Sequence, residues 1–370
     1  MQHWKEGGHD KLCKQIKRSG GAEQYNATIK YTEAVAVAAE KCADDTKGQT
    51  CYICTQALHW KTKEGLVRMC ACRGTAGFAH VSCLAEQAKI LFAEAEENNL
   101  GWEAKNARWW RWAICGLCEQ RHHGVVCCAL GWACWKTYVG RPETDMARCL
   151  AMGVLGGGLS AAKHHEEALS VGEAELSMRR RLGASENDIL TVQGNLAATY
   201  SQVGRFQDSI RIERDVYSGR LKLNGEEHED TLLAATNYAS SLGRFKRFEE
   251  AKSLLRKMMP VARRALGDGS VVSLTMNKIY ATVLCTDPGT PLDDFRDAVN
   301  TLEDAERTAR RVLGGAHPTT TVIGKCLRMA RVELGSREAP VQEKLAQECS
   351  EIAKTLADTT LGEEKPLNCA

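Results

Sequence analysis

Between residues 51 and 118 the chain sets out eight metal ligands in order: Cys51-x2-Cys54, Cys70-x-Cys72, His80-x2-Cys83 and Cys115-x2-Cys118. No other feature restricts the fold as much. Zinc takes four thiolate or imidazole ligands in a tetrahedron, and a Cys-x2-Cys turn supplies two of them. Eight ligands complete two tetrahedra. A segment that converges on two ions gains from metal binding the folding free energy that its own small hydrophobic core cannot supply.

Cysteine usage favours metal over disulfides. Most of the seventeen cysteines crowd between Cys42 and Cys134. The first residues, MQHWKEGGHDKLC, lack the apolar core of a signal peptide, so the expected location is intracellular, cytoplasmic rather than nuclear, where dense thiols serve as ligands. Lysine plus arginine is 49 against 47 for aspartate plus glutamate, a net charge of +2 that gives no reason to invoke nucleic acid. The basic run 14–18 (KQIKR) reads as a solvated face. The most apolar stretch, 125–140, contains Lys136 and is shorter than the roughly 20 residues a membrane helix needs, so no membrane span is expected. Nucleotide loops, hydrolytic triads and zinc-hydrolase motifs are absent, and no catalytic residue is assigned.

All eight tryptophans fall at or before Trp135. The composition changes at GRPET, 140–144, where Pro142 punctuates the chain and Thr144 is a candidate helix cap. Beyond it the sequence repeats. Gly183, Gly225 and Gly267 are spaced 42 apart, and Gly314 follows after 47. Phe206, Phe248 and Phe295 keep the same steps, as do Ser209, Ala251 and Ala298, while Ala197, Ala239 and Ala281 recur at 42. Several positions in one register mark a repeat array of helix pairs. The insertion in the third interval falls at DPGT, 287–290, as turn chemistry between helices. Helices are expected over 187–203 and 207–222, with alanines allowing close approach and phenylalanines filling the space between repeats. Behind Pro340, the stripe Val341, Leu345, Cys349, Ile352 and Leu356 predicts a final capping helix.

The segment MCACRGTAGFAHVSCL, 69–84, resembles the RING-CH zinc finger: cysteine, one residue, cysteine, seven residues, histidine, two residues, cysteine. A PHD finger orders its ligands similarly but leaves two to four residues where this chain has Ala71 alone, and fewer before the histidine. The RING-CH resemblance implies interleaved sites, with Cys51, Cys54, His80 and Cys83 on the first zinc and Cys70, Cys72, Cys115 and Cys118 on the second. It also implies recruitment of a ubiquitin-conjugating enzyme, with Ile53 and Leu117 as apolar contacts, and ubiquitin transfer by positioning rather than by a nucleophile of its own. Two positions depart from the family: Gln87 stands where RING domains commonly have a tryptophan, and Glu119 follows the last ligand, where a lysine or arginine is common.

The repeats resemble the tetratricopeptide repeats of kinesin light chains, on LNGEEHEDTLLAATNYASSL (223–242), FEEA (248–251) and LGGAHPTT (313–320). That resemblance implies a solenoid that binds a protein or peptide ligand. Gln2, Trp4, His9 and Cys13 resemble the last third of a MYND finger. The expected fold is mostly α: a partial MYND-like remnant over 1–16, a helical linker over 17–50, a cross-braced two-zinc finger with its following helix over 51–140, an α-solenoid of helix pairs over 143–335, and a capping helix and tail over 336–370. Cys127, Cys128 and Cys134 are expected as buried small residues on the helix behind the finger. His122 and His123 are expected at the surface, and His59 lies in the loop between the second and third ligands.

Overall fold

A computed structural model describes residues 9–315 and 317–360, which form fourteen α-helices, one 3-10 turn and no β-strand. The MYND-like residues Gln2 and Trp4 lie outside the described residues; Cys13 is exposed. Two helices precede the finger, α1 (His9–Arg18) and α2 (Ala22–Cys42). Helix α3 (Val81–Glu97) starts directly after His80, and α4 (Trp102–Trp109) runs into a 3-10 turn at 110–112. Then come α5 (Gly124–Tyr138), α6 (Met146–Ala161), α7 (His165–Arg181), α8 (Glu186–Gln202) and α9 (Phe206–Asn224). The rest is α10 (Glu229–Arg244), α11 (Phe248–Leu266), α12 (Val271–Thr286), α13 (Leu292–Val312) and α14 (Pro318–Thr360). The chain divides into two compact units, one through Ile212 and one from Glu213, the divide falling inside α9.

In the first unit the finger does not stand alone. Val35, Ala38 and Cys42 of α2 share one buried core with Leu66, Val67, Phe78, Ala79 and Leu84 of the finger and with Val126, Ala129 and Leu130 of α5. The segment expected as a linker therefore forms part of the wall behind the metal ligands. Cys128 and Cys134 of α5 are buried and Cys127 is half-buried, as a helix packed on both sides requires. Helices α5 and α6 approach so closely that a β-carbon on Gly158 would lie 2.7 Å from the Cys127 carbonyl oxygen. The compositional change at 140–144 thus runs between two intimately packed helices. Asp145, not Thr144, caps α6, accepting from the Ala147 and Arg148 amides at 2.8 and 3.2 Å.

The repeat register is written in backbone and caps. Gly183, Gly225, Gly267 and Gly314 all adopt positive φ, between 67° and 86°, the left-handed conformation that closes a helix and that glycine adopts without strain. Helix α8 is capped by Ser185, whose Oγ accepts from the Asp188 amide at 3.2 Å. His228, Ser270 and His317 do the same for α10, α12 and α14, at 3.2, 3.1 and 3.2 Å. The histidines of EEHED and GAHPT are caps that accept through Nδ1. Ala197, Ala239 and Ala281 are fully buried.

The phenylalanines differ from expectation. Phe295 is fully buried, Phe248 half-buried, and Phe206 43% exposed. Phe206 and Phe248 are the first residues of their helices, whereas the longer DPGT connection starts α13 at Leu292 and carries Phe295 a turn inward. Asp287 organises that turn, accepting from the Gly289 amide at 3.0 Å and from Lys252 Nζ at 2.9 Å.

Helix α14 runs from Pro318 to Thr360 through Pro340, with no break before the expected capping helix. The capping chemistry lies in its first half. Positions filled by buried Leu232 and Leu274 become exposed Thr321; those of Ala239 and Ala281 become exposed Arg328; those of Leu242 and Leu284 become exposed Arg331, paired with Glu303 at 2.6 Å. Polar residues on that face stop further repeats from stacking on it.

Candidate metal centre

Each Cys-x2-Cys pair sits on a tight turn, and the two turns are built alike. The Cys51 amide donates to the Gln56 carbonyl at 3.0 Å, the Thr55 amide returns to the Cys51 carbonyl at 2.8 Å, and the Ile53 amide reaches the Cys51 sulfur at 3.4 Å. In the second turn the same bonds join Cys115 to Gln120 (2.9 Å), Glu119 to Cys115 (3.1 Å) and the Leu117 amide to the Cys115 sulfur (3.5 Å). Thr55 and Glu119 both close their turns at positive φ, 62° and 55°. Ile53 is half-buried and Leu117 is 51% exposed, so the twin turns offer the two residues at matching positions.

The other ligands come from the segment between. Antiparallel bridges Val67–Ala79 and Ile114–Arg121 hold the strands of chain that carry Cys70 and Cys72 and the second turn. His80 and Cys83 sit at the start of α3, whose N-terminus is capped from a distance: the Glu64 carboxylate accepts from the Ser82 amide and hydroxyl at 2.7 and 2.8 Å, and Tyr31 of α2 bonds the same hydroxyl at 2.9 Å. This ties the histidine ligand to α2.

The insert between Cys83 and Cys115 is anchored by aromatic packing. Trp109 and Trp112 are buried with Phe92 and Tyr138, ring centroids 4.8 Å apart for Phe92–Trp109 and 5.8 Å for Trp112–Tyr138. That packing returns the chain to place Cys115 and Cys118 beside Cys70 and Cys72. Trp102 and Trp110 remain exposed.

The candidate ligands gather as two groups of four: Cys51, Cys54, His80 and Cys83, and Cys70, Cys72, Cys115 and Cys118, with ligand atoms within 4.8 Å of one another in each. The donor sets fit zinc. Tetrahedral bonds of the usual zinc–sulfur length imply a sulfur–sulfur edge of about 3.8 Å and a nitrogen–sulfur edge of about 3.6 Å. Cys72 Sγ and Cys115 Sγ are 3.8 Å apart, and His80 Nδ1 lies 3.4 and 3.6 Å from the sulfurs of Cys54 and Cys83. The other nitrogen of His80, Nε2, lies 3.4 Å from the Ala57 carbonyl, which fixes the tautomer that leaves Nδ1 free to bind metal. Burial lowers the pKa of His80, keeping the ring neutral.

The thiols respond to crowding. Burial raises Cys70 and Cys83, and raises Cys72 to about 11. Burial acts the same way on Cys51 and Cys118, but hydrogen bonds to backbone amides outweigh it, lowering Cys51 and bringing Cys118 to about 7. In the first group Cys51 is favoured as thiolate while Cys83 resists ionising, and in the second Cys118 is favoured while Cys70 and Cys72 resist, a conflict that a dication at the centre removes.

Residues 51–99 match the RING-variant domain. Six of the eight candidate ligands lie in that match, and Cys115 and Cys118 join the second group from beyond it. Residues 188–264 match the tetratricopeptide repeat. Solved structures similar to the chain include BtubC (BKLC) from P. vanneervenii, 13% identical, with TM-score 0.45, covering 78% of this chain and 94% of that one. Another is that of the kinesin-light-chain nearly identical TPR-like repeats of Podosopora anserina, 18% identical, with TM-score 0.42, covering 63% and 97%. No curated protein matches the chain. No helix among the described residues is long and apolar enough to cross a membrane.

Two features escaped the sequence reading. His59 and Thr62 form a third turn of the same design, with His59 amide to Glu64 carbonyl at 3.0 Å, Lys63 amide to His59 carbonyl at 2.9 Å, and Lys63 at φ 60°. Here a hydrogen bond between His59 Nδ1 and Thr62 Oγ1, 2.9 Å, stands where the metal would be, and the ring packs edge-on against His80 at 5.3 Å. The alignment of HWKT with CYIC and CGLC was the available signal. His122, expected at the surface, is buried with neither ring nitrogen hydrogen-bonded, and burial lowers its pKa to about 4. His123 is exposed.

Proposed function

We propose that the protein is a ubiquitin ligase whose finger recruits a charged ubiquitin-conjugating enzyme while its repeats bind a protein or peptide partner. The observation that carries this reading is the twinned pair of turns, each held by one of two interleaved four-ligand groups, with Ile53 and Leu117 at the same position in each. Zinc supplies rigidity. Cys51, Cys54, His80 and Cys83 hold the first ion, and Cys70, Cys72, Cys115 and Cys118 the second. The finger contributes no nucleophile or base; holding the charged enzyme near a substrate lysine raises the effective concentration of the reacting groups.

A second reading, a zinc-stabilised scaffold without ligase activity, is favoured by Gln87 and Glu119, which depart from the residues active RING domains commonly have there. Incubation with ubiquitin, activating enzyme and a panel of conjugating enzymes separates the two. Ligase activity predicts chains from the parent that fall at least tenfold with Ile53→Ala and vanish with Cys72→Ser. Absence of chains with every conjugating enzyme leaves the scaffold reading.

A further inference from the structure

Beside Leu117, on the second turn, Gly116 is exposed and carries no side chain. A β-carbon there would lie 3.7 Å from Arg111 Nη1, 3.7 Å from Gln87 Oε1 and 3.9 Å from the Tyr52 hydroxyl. Three polar groups from three parts of the chain, the first turn, α3 and the 3-10 turn, therefore surround one point between the twin turns. Two of the three are poorly satisfied. The Tyr52 hydroxyl is buried without a hydrogen-bond partner, and the bond from Arg111 Nη1 to the Cys115 carbonyl is long at 3.4 Å. Arg111 is half-buried and has no carboxylate partner among the described residues. A guanidinium held partly out of water gains most from a carboxylate, because a charge-assisted bond there is about twice as strong as a neutral one.

We infer that Arg111, Gln87 and Tyr52 form a polar recognition spot that selects a conjugating enzyme presenting an aspartate or glutamate between its contacts to Ile53 and Leu117. This rests on the ligase reading. Gln87 stands where an aromatic floor would be common, and the spot replaces apolar contact with charge and hydrogen bonding. Specificity then comes from the carboxylate: an enzyme with an apolar or basic residue at that place leaves Arg111 without a partner.

The test measures affinity of the full chain, loaded with zinc, for a panel of purified conjugating enzymes at low and high salt. Arg111→Glu is expected to weaken binding at least tenfold, and raising salt to weaken the parent more than the variant. Gly116→Ala is the second variant, because its β-carbon meets only ordinary contacts and its backbone needs no left-handed conformation; by covering the spot it is expected to weaken binding at least threefold. Each variant is checked for two zinc ions per chain. Enzymes that lose affinity with Ile53→Ala but stay within twofold with both Arg111→Glu and Gly116→Ala overturn the inference and leave the ligase reading standing. Failure of every enzyme to bind the parent overturns both.

Discussion

Cys118 is the residue at which the metal assignment is most exposed to test, since it lies beyond the RING-variant match and reaches its group through a long insert. Cys118→Ser is expected to reduce bound zinc from two ions to one per chain while the first group keeps its ion, read by mass spectrometry under non-denaturing conditions; retention of two ions would remove Cys118 from the ligand set. His122 makes a different prediction. Its ring is held neutral, with a folded pKa of about 4 against 6.5 when unfolded. The folded state then binds fewer protons than the unfolded state between those values, so the contribution to stability is complete above pH 6.5 and is lost as pH falls through 4. Between pH 7 and 5.5 the parent should lose about 1 kcal/mol more than His122→Leu by urea unfolding, with acid effects on the zinc ligands common to both. Equal losses would show that His122 does not titrate in this way. The two Cys-x2-Cys pairs were legible because that spacing encodes a turn, and the division of the eight ligands into two groups came from the RING-CH resemblance. His122 was not legible, because two adjacent histidines after a polar turn say nothing about which one the chain folds over.

At the scale of elements, the glycine turns of the repeats could be read from the sequence because they depend on neighbours four residues away, whereas the caps Ser185, His228, Ser270 and His317 came only from the structure. The role of α2 could not be read either. Its apolar residues Val35, Ala38 and Cys42 fit a helix of any surface, and only the fold shows them closing the finger's core. The same holds for Gly131 and Gly158, which look like flexibility in sequence and prove to be the contact of α5 with α6. Gly158 is testable against its neighbour. A β-carbon at Gly158 would lie 2.7 Å from the Cys127 carbonyl oxygen and 3.1 Å from Cys128 Cα, backbone atoms that cannot turn aside, whereas one at Gly157 meets nothing within 4 Å. Gly158→Ala should destabilise by about 2 kcal/mol through overpacking, and Gly157→Ala should stabilise by about 0.5 kcal/mol through helix propensity. Urea unfolding of the pair checks this, and equal shifts of the same sign would mean that α5 and α6 do not meet there.

At the scale of the whole molecule, both ligand groups lie in the unit that ends at Ile212, and the unit from Glu213 has no such group among its described residues. Zinc binds the folded first unit, so removing it withdraws a stabilisation of RT ln(1 + [Zn]/Kd) per site, about 4 kcal/mol when zinc is at a thousand times Kd. No such term acts on the second unit. All eight tryptophans are in the first unit, so selectively excited tryptophan fluorescence reports on it alone, while far-ultraviolet circular dichroism reports on the helices of both. On heating with a chelator, the fluorescence transition should fall by more than 10 °C, and circular dichroism should separate into two steps, the later one near its position with zinc. The separation follows from where zinc acts: both ligand groups, and the core that α2, the finger and α5 share, lie in the first unit. A single coincident transition that moves as one on chelation would instead make the zinc groups part of the stability of the entire chain.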